Sequence, residues 1–414
     1  VSAPRLLFAR RLVTCDAARS TPADPLGTID DGALVIEAGR ITWVGPRAAA
    51  PHVAEVMDGG PLVTPGLVDA HTHAAWTGSR HEEYELRMAG ADYRAIAAAG
   101  GGIASSQRAT AETTEDAIAV TLAARLRRMA SLGVTCVEVK SGYGLEAEEE
   151  LKQLRAIARA RAQGDVPAVV PTFLALHALP RSAASDREAY VQRVTRELVP
   201  EVAAAGLARF VDAYVDAGAF TAEEGRAAGQ AALSAGLAVR MHVGQFADVG
   251  GAEVCAELGA RSADHLEHVS DAGIEALARA GVSAGLLPTA CFTLAQQPPP
   301  VARLRAAGVP MVIASDANPG TAPTESLPLA MAMAVRLYAM TPAEVILGAT
   351  RLAADSLDEP LRGRIAVGAH ADVVAWDLPH ELALLQPWGV SRADLVLRGG
   401  VPIGGARHAA RVGS

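Results

Sequence analysis

The chain is 414 residues long, 50% apolar, 20% charged and only 4% aromatic, which fills a core with Ala, Val, Leu and Ile and excludes collagen-like, coiled-coil, disordered and disulfide-stapled architectures. Thirty-seven Lys and Arg face 46 Asp and Glu for a formal charge of −9, and no dense basic cluster offers a track for a phosphate backbone, so no nucleic acid partner is expected. The cysteines Cys15, Cys136, Cys255 and Cys291 stand singly, as small core residues in a reducing cytoplasm would.

At the start, the apolar run Leu6 to Ala9 lies between Arg5 and the pair Arg10 and Arg11, short of the ~7 to 15 residues of an export-signal core. Every later apolar run is broken by charge, Gly or Pro before the ~18 residues that a membrane span needs. A soluble, cytoplasmic protein without a membrane partner is expected. The first sixty or so residues read as short strands and turns, with Gly39-Arg40 between two β-rich runs as a hairpin turn. From Thr64 the texture changes to apolar runs alternating with Ala/Glu/Arg-rich stretches of helical period. The strand candidates are Thr64–His73, Val134–Lys140, Val166–His177, Ala208–Asp216, Ala238–Gln245, Ser262–His268, Val282–Pro288 and Val309–Ala317. Helix formers follow most of them, as in AEEELKQLRAIARARA and TAEEGRAAGQAALSAG.

Eight strand–helix repeats predict an α/β fold, a TIM-like (β/α)8 barrel whose strands run as continuous apolar segments. The first two strands are separated by about sixty residues, including HEEYELRMAG and AAAGGGIAS. A connection of that length is expected to be a functional loop. The last fifty or so residues return to β-branched runs punctuated by Gly, with no helix expected.

The first barrel strand ends in Asp69-Ala-His71-Thr-His73, and residues i and i+2 of a strand point to one face, so both imidazoles can meet one ion. His177, His242, His265 and Asp316 fall at or near the ends of later strands, where a barrel of this kind carries its catalytic groups. Random core histidines would show no preference for that rim. His52, His81, His268, His370, His380 and His408 are assigned no role. His71, His73, His242 and Asp316 make a four-ligand set suited to one Zn²⁺ or Fe²⁺ with a position left for water. Such an ion lowers the pKa of bound water to about 7, which suits hydrolysis of an amide or amidine bond.

Lys140 reads in two ways, as a carboxylated bridge between two metals or as a rim lysine in a salt bridge with an acid such as Glu138; the second is favoured. Arg80 is a partner for a substrate carboxylate or a helix-start arginine pairing with Glu82 or Glu83, with position favouring the first. Tyr143 stands between glycines at the barrel mouth. The turn Asp316-Ala-Asn318-Pro-Gly320-Thr321 offers backbone N–H groups to a second anion.

The segment Pro65-Gly-Leu-Val-Asp-Ala-His-Thr-His73, the downstream Asp316 and the closing Gly363-Arg-Ile-Ala-Val-Gly-Ala-His-Ala-Asp-Val-Val-Ala-Trp-Asp377 resemble the amidohydrolase superfamily. That resemblance implies a small β-sandwich built from residues 1–63 and 363–414 beside a barrel of residues 64–362. Gly78–Gly90, Ala99–Ile103, Glu138–Leu145, Thr172–Pro180, Ser262–Glu267 and Ser315–Thr321 narrow it to the imidazolonepropionase family. Membership implies hydrolysis of 4-imidazolone-5-propanoate to N-formimidoyl-L-glutamate in histidine degradation. It also implies metal ligation by His71, His73, His242 and Asp316, substrate contacts from Arg80, Tyr143, His177, Gln245, Asn318, Gly320 and Thr321, and a place for His265 near the reacting carbonyl. Gln245 stands where an acid in some members would be a candidate base, and an amide cannot take a proton at neutral pH. Asp316 is therefore expected to shuttle the proton and His265 to act as electrophile. Another cyclic-amide hydrolase or a deaminase of the same superfamily, and a non-catalytic binding barrel, are the competing readings, and a homodimer is the expected assembly.

Overall fold

The computed structural model describes residues 3–91, 101–386 and 388–412. Among the described residues, sixteen strands in chain order build two sheets. Strands β1 (Arg5–Val13), β2 (Thr28–Glu37), β3 (Arg40–Pro46), β4 (Glu55–Asp58) and β5 (Leu62–Pro65) come from the first part of the chain. The barrel follows with β6 (Leu67–Asp69), β7 (Val134–Lys140), β8 (Ala168–Leu176), β9 (Phe210–Val215), β10 (Ala238–Val243), β11 (Ser262–His265), β12 (Ser283–Leu286) and β13 (Met311–Ile313). Strands β14 (Val373–Trp376), β15 (Ala393–Arg398) and β16 (Val401–Gly404) then return to the first sheet.

The barrel strands pair in strict chain order from β6 to β13, all parallel. Each lies inside one of the eight expected segments. Closure between the first and last strands happens beyond their ends, where the Asp316 N–H donates to His71 O at 3.1 Å and the His73 N–H to Ala317 O at 3.0 Å. The backbone bonds that seal the barrel are thus made by the residues expected to carry the chemistry. Between strands run helices such as Ala147–Arg161, with Glu148, Glu149 and Glu150 in its first turn and Arg159 and Arg161 in its last, charges that complement the helix dipole. Thr221 and Glu224 form a reciprocal capping box at the start of Ala222–Ser234.

The expected β-sandwich takes the form of one continuous mixed sheet, ordered β16-β15-β14-β5-β1-β2-β3 with β4 against β1. Both chain ends share its core, in which Leu7, Leu12, Leu34 and Ile41 pack with Val373, Leu395 and Leu397. The hairpin turn falls at Ala38-Gly39, one residue before the expected Gly39-Arg40, because Arg40 already pairs with Glu37; both turn residues take positive φ, as the two-residue turn of a right-twisted pair needs.

Four expectations are corrected. The candidate strand Thr64–His73 divides, because Pro65 lacks an N–H and Gly66 sits so close to Thr135 that a Cβ there would clash; its first residues pair with β14 and only Leu67–Asp69 enters the barrel. The long connection after β6 is largely helical where described, with helices His81–Met88, Ile103–Glu112 and Glu115–Ser131; Ala99 and Gly100 lie outside the described residues. The C-terminal region is not free of helix: Ala406–Val412 is helical, begun by Gly405 at φ +94° and tied back by an Arg407–Asp394 ion pair. Finally, the barrel strands are not uniformly apolar. Glu138, Lys140, Asp212, Arg240 and Asp264 are buried on them.

No helix among the described residues is long and apolar enough to cross a membrane. All four cysteines are free and buried.

Candidate metal centre

His71 and His73 leave the end of β6 two residues apart and turn the same way, as strand alternation requires. His242 approaches from β10, and its Nε2 lies 3.2 Å from Nε2 of His73. Ligand atoms of His71, His73 and His242 all fall within 4.8 Å of one another, and the three residues are buried. Asp316 Oδ1 stands 3.5 Å from Nε2 of both His71 and His73. Zinc–nitrogen bonds of ~2.0 to 2.1 Å in a tetrahedron put ligand atoms roughly 3.3 to 3.4 Å apart. The two measured kinds of separation bracket that edge, so the residues fit one divalent ion. His71 Nε2 has no hydrogen-bond partner despite complete burial, a costly state for an imidazole nitrogen unless an ion receives its lone pair.

The outward nitrogens of His71 and His242 are held by carboxylates, whereas that of His73 has no partner among the described residues. His71 Nδ1 donates to Asp264 Oδ2 at 2.7 Å and His242 Nδ1 to Asp212 Oδ1 at 3.0 Å. Such partners fix the tautomer that leaves Nε2 free to ligate and raise its basicity. Burial, with the neighbouring positive charges, lowers His71 and His73 well below the usual histidine range, so both rest in the neutral, ligating form.

Beneath this layer Lys140 donates to Glu138 Oε1 at 2.7 Å and to Asp212 Oδ2 at 2.8 Å, with all three side chains fully buried. Burial alone would lower the Lys140 ammonium, but Asp212 and Glu138 outweigh it and raise the lysine above its ordinary value. Lys140 is therefore a salt-bridged cation that braces Asp212, the second of its two sequence readings. Glu138 also accepts the Thr72 N–H at 3.1 Å. Arg240 donates to Ala70 O at 2.8 Å. Asp69 takes both the backbone N–H and the hydroxyl of Ser315, at 3.0 and 2.6 Å, tying the first strand to the last.

Above the centre opens a cavity whose wall includes Arg80, Tyr143, His177, Gln245, His265, Asp316, Asn318 and Thr321. His177 Nδ1 donates to Gly142 O at 2.7 Å, and burial pushes its pKa down to about 4, so Nε2 faces the cavity as an acceptor. The loop bearing Tyr143 is anchored by Glu150, which accepts the Gly142 and Leu145 N–H groups at 2.9 and 2.7 Å. Gln245 receives the Tyr214 hydroxyl on Oε1 at 2.7 Å.

Arg80 makes the helix-start pair of its second reading, standing at the start of helix His81–Met88 and pairing with Glu83 at 2.7 Å, and it also lies buried on the cavity wall. Gly320 is not itself on that wall; it lies against the Arg80 guanidinium. The expected backbone anion cradle is filled from within, because the Gly320 and Thr321 N–H groups donate to Asn318 Oδ1 at 2.8 and 2.7 Å. Sequence reasoning missed Asp212, Asp264, Tyr214 and Phe246. The two aspartates had a signal, a lone carboxylate inside an otherwise apolar barrel strand.

A parallel barrel whose strand ends converge three histidines on one ion defines a metal-dependent amidohydrolase. The amidohydrolase family model matches residues 62–401, and the chain belongs to that family. Within it the chain belongs with the imidazolonepropionases. It is 44% identical over 403 residues to the imidazolonepropionase of Paracoccus denitrificans, covering 96% of this chain and 99% of that one. The Chromobacterium violaceum imidazolonepropionase is 44% identical over 393 residues, 94% of each chain. Among solved structures, the zinc complex of an atrazine chlorohydrolase from Arthrobacter aurescens superposes with a TM-score of 0.72 at 16% identity, over 97% of this chain and 95% of that one. A zinc-bound adenosine deaminase from Xanthomonas campestris gives 0.67 at 20% identity, over 99% and 96%. At those identities the likeness is one of fold.

Proposed function

We propose that this chain hydrolyses 4-imidazolone-5-propanoate to N-formimidoyl-L-glutamate. The observation that carries the reading is the buried Arg80 on the wall of a cavity also lined by His73, His242 and Asp316, with His71 clustered beside them. The relatives at 44% identity support it. Arg80, held by Glu83, grips the propanoate carboxylate with its planar fork. Gly320 supports that grip by leaving the guanidinium room, while Asn318 and Thr321 close the wall beside it. Tyr143 and His177 line the ring-binding side, and Gln245, with Oε1 taken by Tyr214, turns its amide donor toward the substrate.

The three histidines and Asp316 would hold one Zn²⁺ or Fe²⁺, which when bound would make a water nucleophilic at neutral pH. Asp316 takes the proton of the attacking water and returns it to the ring nitrogen as the carbon–nitrogen bond breaks. Burial pushes its carboxyl up to about 6 against the opposing pull of His265 and His242. His265 donates to the carbonyl oxygen as negative charge develops there, a role worth ~3 kcal/mol for an oxyanion donor. A cytoplasmic homodimer completes the proposal.

Product analysis separates this reading from deamination. Incubation with 4-imidazolone-5-propanoate should give N-formimidoyl-L-glutamate and no ammonia. Ammonia release, or turnover of a neutral cyclic amidine in preference to the propanoate, would reassign the cavity to a deaminase.

A further inference from the structure

Gln245 reaches the cavity wall from the turn that follows β10, and that strand pairs with its neighbours only as far as Val243. The peptide groups of Gln245 therefore have no sheet bonds of their own, and two side chains from elsewhere in the barrel take their place. The Gln245 N–H donates to Asp216 Oδ2 at 2.7 Å, and the Gln245 carbonyl accepts from Gln296 Nε2 at 2.7 Å. Asp216 follows β9 and is almost wholly buried. Its carboxylate also takes the Phe246 N–H at 2.9 Å, the Ala247 N–H at 3.0 Å and the Ala217 N–H at 2.7 Å. Three successive amides of one turn thus converge on a single acid, and such charge-assisted bonds are about twice as strong as neutral ones.

Gln296 lies beyond helix Pro288–Thr293, with its own N–H tied to Cys291 O at 3.0 Å. A carbonyl only accepts, so the Gln296 amide turns Nε2 toward Gln245. Its Oε1 is left buried without a partner among the described residues. An unsatisfied buried acceptor is costly and calls for a reason. We infer that Asp216 and Gln296 are positioning residues for Gln245: one fixes the path of residues 245–247, the other ties the turn to the segment after β12, and together they hold the Gln245 amide at the cavity wall. Neither lines the cavity itself, whereas Gln245 and Phe246 do, so both act on substrate only through the turn. The inference rests on the place given to Gln245 beside the substrate.

The test is a pair of double-mutant cycles on the metal-loaded protein, Gln296→Met and Asp216→Asn, each made with and without Gln245→Ala. Gln245→Ala keeps the N–H and carbonyl that the two anchors hold and removes only the amide that they place. Alone, Gln296→Met should lower kcat/KM about 2- to 12-fold, the span of one net hydrogen bond. Asp216→Asn turns a donor toward backbone N–H groups and should cost about 10- to 100-fold, the scale of a misplaced contact. In the Gln245→Ala background Gln296→Met should cost less than about 2-fold. Asp216→Asn, which also releases Phe246, should keep only a part of its effect. Metal content should not change, and hydrogen exchange at the amides of residues 245–247 should quicken in both anchor variants. Equal costs in the two backgrounds would mark a merely structural role and overturn the inference, as would wild-type kcat/KM for Gln245→Ala or for Gln296→Met. Should Asp216→Asn fail to fold, the Gln296→Met cycle decides. A wild type inactive on imidazolone propanoate defeats the proposed substrate instead; hydrogen exchange then decides, and amides of residues 245–247 that exchange no faster in the variants overturn the anchoring.

Discussion

Replacing Gly320 by Ala probes the Arg80 anchor without touching a charged group or a metal ligand. A methyl there would lie 2.7 Å from Arg80 Nη2 and nearer still to Nη1 and Cζ, whereas ordinary contact begins near 3.4 Å. The guanidinium cannot simply swing clear, because Nε and Nη2 are held by Glu83 at 2.7 Å in a buried pair. It must retreat by roughly 1 Å as a unit, and a misplacement of that size can cost as much as ~100-fold. Gly320 does not occupy a positive-φ conformation, so Ala carries no backbone penalty. The expected outcome is a fall in kcat/KM of about 10- to 100-fold, ~1.4 to 2.7 kcal/mol of lost transition-state stabilisation. Metal content should not change, and the thermal unfolding midpoint should fall by no more than a few degrees, since overpacking a buried site costs ~1 to 3 kcal/mol. Steady-state kinetics on imidazolone propanoate, with metal analysis and calorimetry on the same preparation, read all three quantities. Unchanged kcat/KM would refute the assignment of Arg80 as the carboxylate clamp.

Arg80→Lys keeps the charge but loses the fork, so kcat/KM should again fall; an unchanged value returns Arg80 to its helix-start role. His242→Ala and Asp316→Ala should each abolish turnover and sharply lower metal content, as plasma emission analysis would show. Lys140→Met strands Glu138 and Asp212 as buried charges without their cation, and chemical denaturation should register a loss of ~3 to 5 kcal/mol. His265→Gln keeps a donor while removing a titrating group, so substantial residual kcat with the acid limb of the pH profile retained supports Asp316 as base; disappearance of that limb transfers the role to His265. Burial raises the Cys15 and Cys136 thiols to about 12 and Cys291 to about 11. A raised thiol pKa means less thiolate, so at pH 8 the reactive fractions are ~10⁻⁴ and ~10⁻³, and a disulfide reagent should react slowly until the chain is unfolded.

Much of the site was legible because strand alternation and strand ends are simple geometric rules. His71 and His73, two residues apart, had to share a face, and His242, His265 and Asp316 fell where barrel strands expose side chains to the rim. The carboxylates behind the metal ligands were not legible by the same rule, since Asp212 and Asp264 lie within their strands and were passed over in favour of residues at the ends. Their presence reflects electrostatics overriding the apolar filling of a barrel. The imidazoles of His71 and His242 each give their other nitrogen to a buried acceptor, and such an acceptor needs compensation of the kind Lys140 gives Asp212. Arg80 shows another limit. Sequence posed helix start against substrate contact as alternatives, but a side chain that pairs with the residue three places on can also form a cavity wall. The terminal helix at Ala406–Val412 escaped notice because the neighbouring β-branched runs set the expectation, although Ala and Arg are good helix formers.

The most direct test of the one-metal hydrolase is to strip the protein with chelator, confirm by analysis that it is metal-free, and titrate it anaerobically with Zn²⁺ or Fe²⁺ while following the conversion of imidazolone propanoate to N-formimidoyl-L-glutamate. Turnover should be absent at the start, rise in proportion to added metal and level off at about one ion per chain, the number that three histidines and one aspartate can hold. Full turnover by the metal-free protein, or saturation only at two ions per chain, would contradict the account.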